Sequence, residues 1–318
     1  MRIPALVLAI WIPAAMALFG QAPALHSGAT TPRSPSESLL AQAEVLLQDG
    51  MPAEALPLVR QYLKEQPDSP DGHVALGFIL FKQSKAAESL REYSEAAKYR
   101  NLTAFELKIA ALNYAMLEDY PNADRGLTES LEMNPGDLQA CNNLGEIKFL
   151  QERYEEAIGV FRGCLKLDSK NVFAGNGLGS AYEQMNQLED AVAAYRNAVA
   201  WQSANATQDP TPVLNLGRLL LKLDKTEEAL TYLTRAVKLG PEHWKTHEQL
   251  GRAHSYAGEL EAAQKEVAKA IRLNPKDAHL HYVLGQLYQR AGMPDKAKHE
   301  FEQFQAMKKR STLTPNQP

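Results

Sequence analysis

Small and bulky apolar residues recur along this 318-residue chain at fixed places, and the repeat length is 34 residues. Leu-Gly pairs stand at Leu76-Gly77, Leu144-Gly145, Leu178-Gly179, Leu216-Gly217, Leu250-Gly251 and Leu284-Gly285, and Ala110-Ala111 fills the same place once. Twelve residues after each of these comes Ala123, Ala157, Ala191, Ala229, Ala263 or Ala297, with Ser89 in that role once. A bulky apolar residue follows four positions later. A period of this size predicts a helix-turn-helix unit whose apolar face only a neighbouring unit can bury. Pro67, Pro135, Pro241 and Pro275 fall where a second helix must stop. Gly50, Gly258 and Gly292 fall where a left-handed residue ends the first helix. The predicted repeats run 36–69, 70–103, 104–137, 138–171 and 172–205, then, after a four-residue insertion at 206–209, 210–243, 244–277 and 278–311. A disordered tail is expected over 312–318.

Glycine inside a helix costs about 1 kcal/mol relative to alanine. Its use in six repeats therefore predicts close helix crossings, the tightest expected at Gly217 against Ala229 and Gly251 against Ala263.

The repeats resemble the tetratricopeptide repeat family. The likeness rests on the Leu-Gly pair, the following aromatic (Tyr114, Tyr182, Tyr288), the Ala, the bulky residue (Tyr93, Phe161, Tyr195, Phe301) and the Pro. The Trp common at the fourth place of that motif is absent; Leu39, His73, Leu107, Cys141, Gly175, Val213, His247 and His281 stand there. The resemblance implies an all-α, right-handed superhelical solenoid of about eight repeats. It also implies a protein or extended peptide bound on the first helices. Carrying the family's ligand-facing places onto this chain gives an apolar section with Val74, Phe78, Phe81, Phe105, Leu112, Met116, Asn142 and Phe149. A basic-aromatic section follows with Arg218, Lys222, Lys245, Arg252, Tyr256, His279, Tyr282 and Arg290. Of the clamp with which some members hold a terminal carboxylate, Asn215 and Lys245 match two places, while Ser180 and Gln249 depart from it.

The first residues read differently. Arg2, an apolar run from Ile3 to Phe19 and small residues at Gln21-Ala22-Pro23-Ala24 predict a secretory signal peptide over 1–24, followed by a flexible linker over 25–35. An uncleaved anchor is the alternative, although Pro13 interrupts the run and it is short for a span. No Cys lies near the cleavage site, so a lipoprotein is not expected. The expected location is the periplasm or the exterior, with contact to a membrane only if the segment is retained.

A net charge of −4 speaks against a nucleic-acid binder. The charge is uneven: residues 36–171 hold 14 Lys and Arg against 22 Asp and Glu, whereas residues 172–311 hold 18 against 16. Such polarity suits an acidic partner segment on the later repeats, or is simply an uneven solvated surface. Phosphate loops, nucleophile elbows, HExxH and paired-Cys metal motifs are missing from the sequence. The expectation is a non-catalytic scaffold without a cofactor. A membrane-tethered assembly factor is one alternative. The other is a metal protein using the late histidines His243, His247, His254, His279, His281 and His299, with Glu248 nearby; packing between helices is the preferred account of these rings. Cys141 and Cys164 occupy the fourth and twenty-seventh places of one repeat, which puts them on adjacent antiparallel helices. An exported chain favours a bridge, but a register offset of about one helical turn favours two buried thiols.

Overall fold

The computed structural model describes residues 35–202 and 209–313, and among these all regular structure is α-helix. The predicted signal peptide, most of the linker, most of the insertion and the last residues of the tail lie outside the described residues. Two compact units divide at Asp168. The first contains α1 (Pro35–Gln48), α2 (Pro52–Glu65), α3 (Pro70–Lys82), α4 (Ala86–Ala96), α5 (Ala104–Met116), α6 (Tyr120–Met133), α7 (Leu138–Leu150) and α8 (Tyr154–Leu167). The second contains α9 (Val172–Gln184), α10 (Leu188–Gln202), α11 (Pro210–Lys222), α12 (Thr226–Leu239), α13 (Trp244–Tyr256), α14 (Leu260–Leu273), α15 (Ala278–Arg290) and α16 (Pro294–Leu313). In each unit consecutive helices pair as hairpins, and each hairpin packs on the next.

Local chemistry sets the helix ends. Ser69, Thr103, Asp119, Asp137, Asn171, Asp209 and Asp277 cap helix N-termini by accepting backbone N–H groups; at Thr103 the cap is reciprocal, because Glu106 accepts from the Thr103 amide. Every first helix ends on a left-handed residue. Gly50, Gly258 and Gly292 take φ values of +74°, +81° and +71° as expected, and Ser84, Glu118, Glu152, Asn186 and Asp224 adopt the same conformation at φ of 58–60°. The turn is thus set by packing of the two helices, and five residues with a Cβ accept the strain.

The glycine of each Leu-Gly pair makes room for the bulky residue on the second helix, not for the alanine expected opposite it. A Cβ on Gly217 would sit 2.6 Å from Leu233 Cγ, and one on Gly251 would sit 2.7 Å from Val267 Cγ2. The nearest Ala263 atom to that Gly251 Cβ position is its carbonyl oxygen, at 3.1 Å. In the repeat with Ala111 the arrangement is exchanged: Gly126 faces Ala111, where a Cβ would lie 3.0 Å from the Ala111 Cβ. Ser89, the one departure from Ala, is buried and satisfied, donating to the Gly77 carbonyl at 2.7 Å and accepting from Asn113 at 2.9 Å.

Cys141 and Cys164 are joined by a disulfide with a Cα–Cα separation of 5.7 Å. The preferred expectation of two thiols is corrected here, and the equivalent places in the second unit show why. A Cβ on Gly175, at the fourth place, would lie 3.2 Å from the Ala198 Cβ at the twenty-seventh. The two places face each other directly across the hairpin, within the reach of a disulfide.

Candidate functional site

The first-helix face of the first unit is not the open aromatic surface inferred above. Val74, Phe78 and Phe81 are 1%, 5% and 1% exposed and belong to one core with Leu40, Ala43, Tyr93 and Ile109. Phe105, Leu112 and Met116 pack against that core. The Phe78 ring lies 5.8 Å from Phe105, with Lys82 over its face and Lys108 over Phe105. These apolar residues join neighbouring hairpins, as a solenoid requires. The half-buried residues of this face are Phe105, Leu112 and Met116 on α5, and Asn142 and Phe149 on α7, the Phe149 ring lying 5.3 Å from Tyr154. Sequence reasoning passed over Glu146, which shares their stripe and is buried. Its place, four residues after Asn142 and three before Phe149, was the available signal.

The second unit carries the basic face. A cavity of about 430 Å³ opens between α13 and α15, floored by Gly251, Val283 and Leu287, with Arg252, Tyr256 and Arg290 on its walls. Tyr256 is 63% exposed. Arg290 donates to the carbonyl and the hydroxyl of Ser255, which fixes its guanidinium at the rim. His279 stacks on Tyr282, and Tyr282 in turn packs against Phe301 and Phe304. Burial pushes the Glu248 carboxyl upward, with Arg252 and His279 opposing. Lys245, half-buried above the Trp244 ring, is held below the ordinary lysine range by its burial.

Other basic-section residues are already engaged. Arg218 donates two hydrogen bonds to Glu183, at 2.9 and 2.6 Å, and Lys222 stands 4.0 Å from the same carboxylate. Reversing Arg218 to Glu would set two carboxylates together beside the buried Tyr195 hydroxyl, so this arginine is a structural partner within its unit. Asn215 is buried and donates to Asn176 at 3.0 Å. Its amide is thus committed within the unit and not to a carboxylate clamp.

Three histidines serve a common packing role. His73, His247 and His281, all at the fourth place, each set Nδ1 2.7 Å from a glutamate nineteen residues on: Glu92, Glu266 and Glu300. In two of them Nε2 also reaches the carbonyl of the terminating proline, Pro67 at 2.8 Å and Pro241 at 2.9 Å. His254 meets Glu259 at 2.6 Å. Among the described residues no three His, Cys, Asp or Glu side chains gather as a metal would need. No helix among them is long and apolar enough to cross a membrane.

Models of the tetratricopeptide repeat match residues 40–102, 138–171, 176–205, 220–287 and 278–310. The chain belongs to the tetratricopeptide repeat family. A stretch of 111 residues is 28% identical to Hsp70-Hsp90 organizing protein 1 of Glycine max, covering 35% of this tetratricopeptide repeat chain and 19% of that protein. The corresponding protein 3 of Arabidopsis thaliana is 27% identical over 107 residues, covering 34% of this chain and 19% of that one. The chain thus spans less than a fifth of the length of these curated relatives. Among solved structures, a tetratricopeptide repeat protein from Parabacteroides merdae aligns with a TM-score of 0.61 at 18% identity, covering 80% of this chain and 98% of that one. The Cut9-Hcn1 hetero-tetramer of the APC/C aligns at 0.58 and 17%, covering 86% and 53%. At these identities the structural likeness establishes the fold, an all-α tetratricopeptide solenoid, which is the architecture of protein-interaction scaffolds.

Proposed function

We propose that this protein is a non-catalytic scaffold, exported from the cytoplasm, that holds an acidic segment of a partner protein on the first helices of its second unit. The observation that carries this reading is the cavity between α13 and α15, where Arg252 and Arg290 flank an apolar floor beside the exposed Tyr256. Guanidinium groups recognise carboxylates with paired N–H donors, and an exposed aromatic supplies contact area at low entropic cost. Export is supported by the Arg2-led apolar run and by the bridge between Cys141 and Cys164, since disulfides persist in oxidising compartments. The relatives named as organizing proteins for two chaperones accord with a scaffold.

The test is binding of fluorescent Glu- and Asp-rich peptides to the full chain across a salt series. Wild type is expected to prefer them over neutral peptides and to lose affinity as salt rises. Arg252→Glu is expected to weaken binding at least about ten-fold and to flatten the salt dependence. Equal binding by Arg252→Glu at low salt would remove this cavity as the site. N-terminal sequencing of the exported protein tests processing; a start near residue 25 is expected, and intact Met1 in a membrane fraction would favour the tethered alternative.

A further inference from the structure

Among the described residues the first unit buries three acidic side chains, Glu106, Asp124 and Glu146. Two of them have cations. Glu106 accepts two hydrogen bonds from Arg100, both at 2.8 Å, and one from the Thr103 amide. Burial pushes its carboxyl up, but Arg100 and Thr103 outweigh that and hold it below the usual range. Asp124 meets Lys148 at 2.8 Å and Arg153 at 2.6 Å. Glu146 has neither: it is 8% exposed, and its Oε1 is buried without a hydrogen-bond partner. Burial alone pushes this carboxyl up to about 7.

On α7 the lack extends along one stripe. One turn earlier, Asn142 presents a second buried acceptor, Oδ1, also without a partner. Three residues later comes the Phe149 ring, steeply inclined to Tyr154 with centroids 5.3 Å apart. The cations nearby in sequence are committed elsewhere: Lys148 and Arg153 to Asp124 and Glu156, and Lys108 to Asp137 and Gln139. From α6 the titratable group that senses Glu146 is Tyr120, which brings no positive charge.

We propose that Asn142, Glu146 and Phe149 form a receptor for one arginine side chain of a partner protein. A guanidinium presents several N–H donors in a plane, so it can donate to acceptors on successive helical turns while its face lies against an aromatic ring. The arrangement deepens the scaffold reading, on which it rests for the protein nature of the partner, and gives it a second contact of opposite charge in a different unit.

The probe is the peptide acetyl-Ala-Ala-Arg-Ala-Ala-amide, with citrulline in place of arginine as a neutral control of the same shape. Carboxyl-carbon NMR on the full chain follows Glu146, assigned by the signal lost in Glu146→Gln. In the free protein the Glu146 midpoint is expected near 7. Saturating arginine peptide should lower it by at least about one pH unit, which by linkage makes binding about ten-fold tighter at pH 8 than at pH 5.5. Citrulline peptide should leave it in place. Glu146→Gln should abolish the pH dependence, and Asn142→Ala should weaken binding while retaining it. An unmoved Glu146 midpoint with arginine peptide, or equal binding by Glu146→Gln at pH 8, would overturn the proposal. Acidic-peptide binding that still depends on Arg252 would in that case leave the scaffold reading standing, so the two failures are distinct.

Discussion

Reduction of the bridge between Cys141 and Cys164 should cost the first unit about 3 kcal/mol. The bridge closes a sequence separation of 23 residues. On the chain-entropy model a loop of that size removes denatured-state freedom equivalent to about 3.4 kcal/mol at 25 °C. Both cysteines are buried, with Cys164 fully inaccessible. In a solenoid each repeat is stabilised by its nearest neighbours, so the loss should fall first on α7 and α8 and on the hairpin of α5 and α6 packed against them. Urea titration followed by circular dichroism, with and without a phosphine reductant, reads it directly. With a denaturant slope of about 2 kcal/mol per M, the midpoint of the affected transition should fall by about 1.5 M. Cys141→Ala with Cys164→Ala should unfold near the reduced wild type and ignore the reductant. Two titratable thiols in unreduced, denatured protein, or coincident midpoints in the two conditions, would refute the bridge and its energetic role.

Three further outcomes follow from burial and backbone geometry. Phe78→Ala should destabilise the first unit by about 3–5 kcal/mol, because the ring lies in the core; an unchanged thermal midpoint would return Phe78 to an open surface. Glu118→Gly and Glu152→Gly, at φ of 59° and 60°, should each stabilise by up to about 1 kcal/mol in urea titration, and a loss of stability would show that these side chains outweigh the strain. Glu146 makes stability depend on pH with a definite sign. Its folded value near 7 lies above the ordinary glutamate value of 4.5, so the native state holds a proton the unfolded chain has released, and stability falls as pH rises from about 4.5 to 7. The full shift corresponds to about 3 kcal/mol, and the drop should be missing from Glu146→Gln; identical pH profiles would refute the uncompensated charge.

The hairpin pattern was legible in the sequence because it is written in residues that packing dictates. The Leu-Gly pairs, the fully buried alanines and the glycines at φ of +71° to +81° answer to steric demands that recur along the chain. Partner identities across a hairpin were less legible. Counting residues along two helices does not give their relative rotation or level, so Gly217 was set against Ala229 when it meets Leu233. The same error of level separated Cys141 from Cys164. Family offsets also failed at Phe78 and Phe81, because a place that faces a ligand in one repeat protein can be closed by large side chains from the adjacent hairpin in another.

The fourth place carries the lesson further. Where a Trp is usual in the family motif, three repeats use a histidine tied to a glutamate and one uses a cysteine tied across the hairpin. Gly175 instead leaves space that Trp201 fills from the second helix, its ring 2.6 Å from where a Cβ would lie. Each solution secures the same two helices by different chemistry: a side-chain hydrogen bond, a covalent bond, or an aromatic supplied from the other side. Residues serving that need, His247, His281 and the two cysteines among them, are spent on the fold. Polar groups that serve no such need stand out against this background. Glu146 on its stripe has no equivalent tie across its own hairpin, and Arg252, whose charge acts on Glu248 of the same helix, keeps a guanidinium on the wall of an open cavity; groups so placed suit a partner that brings the opposite sign.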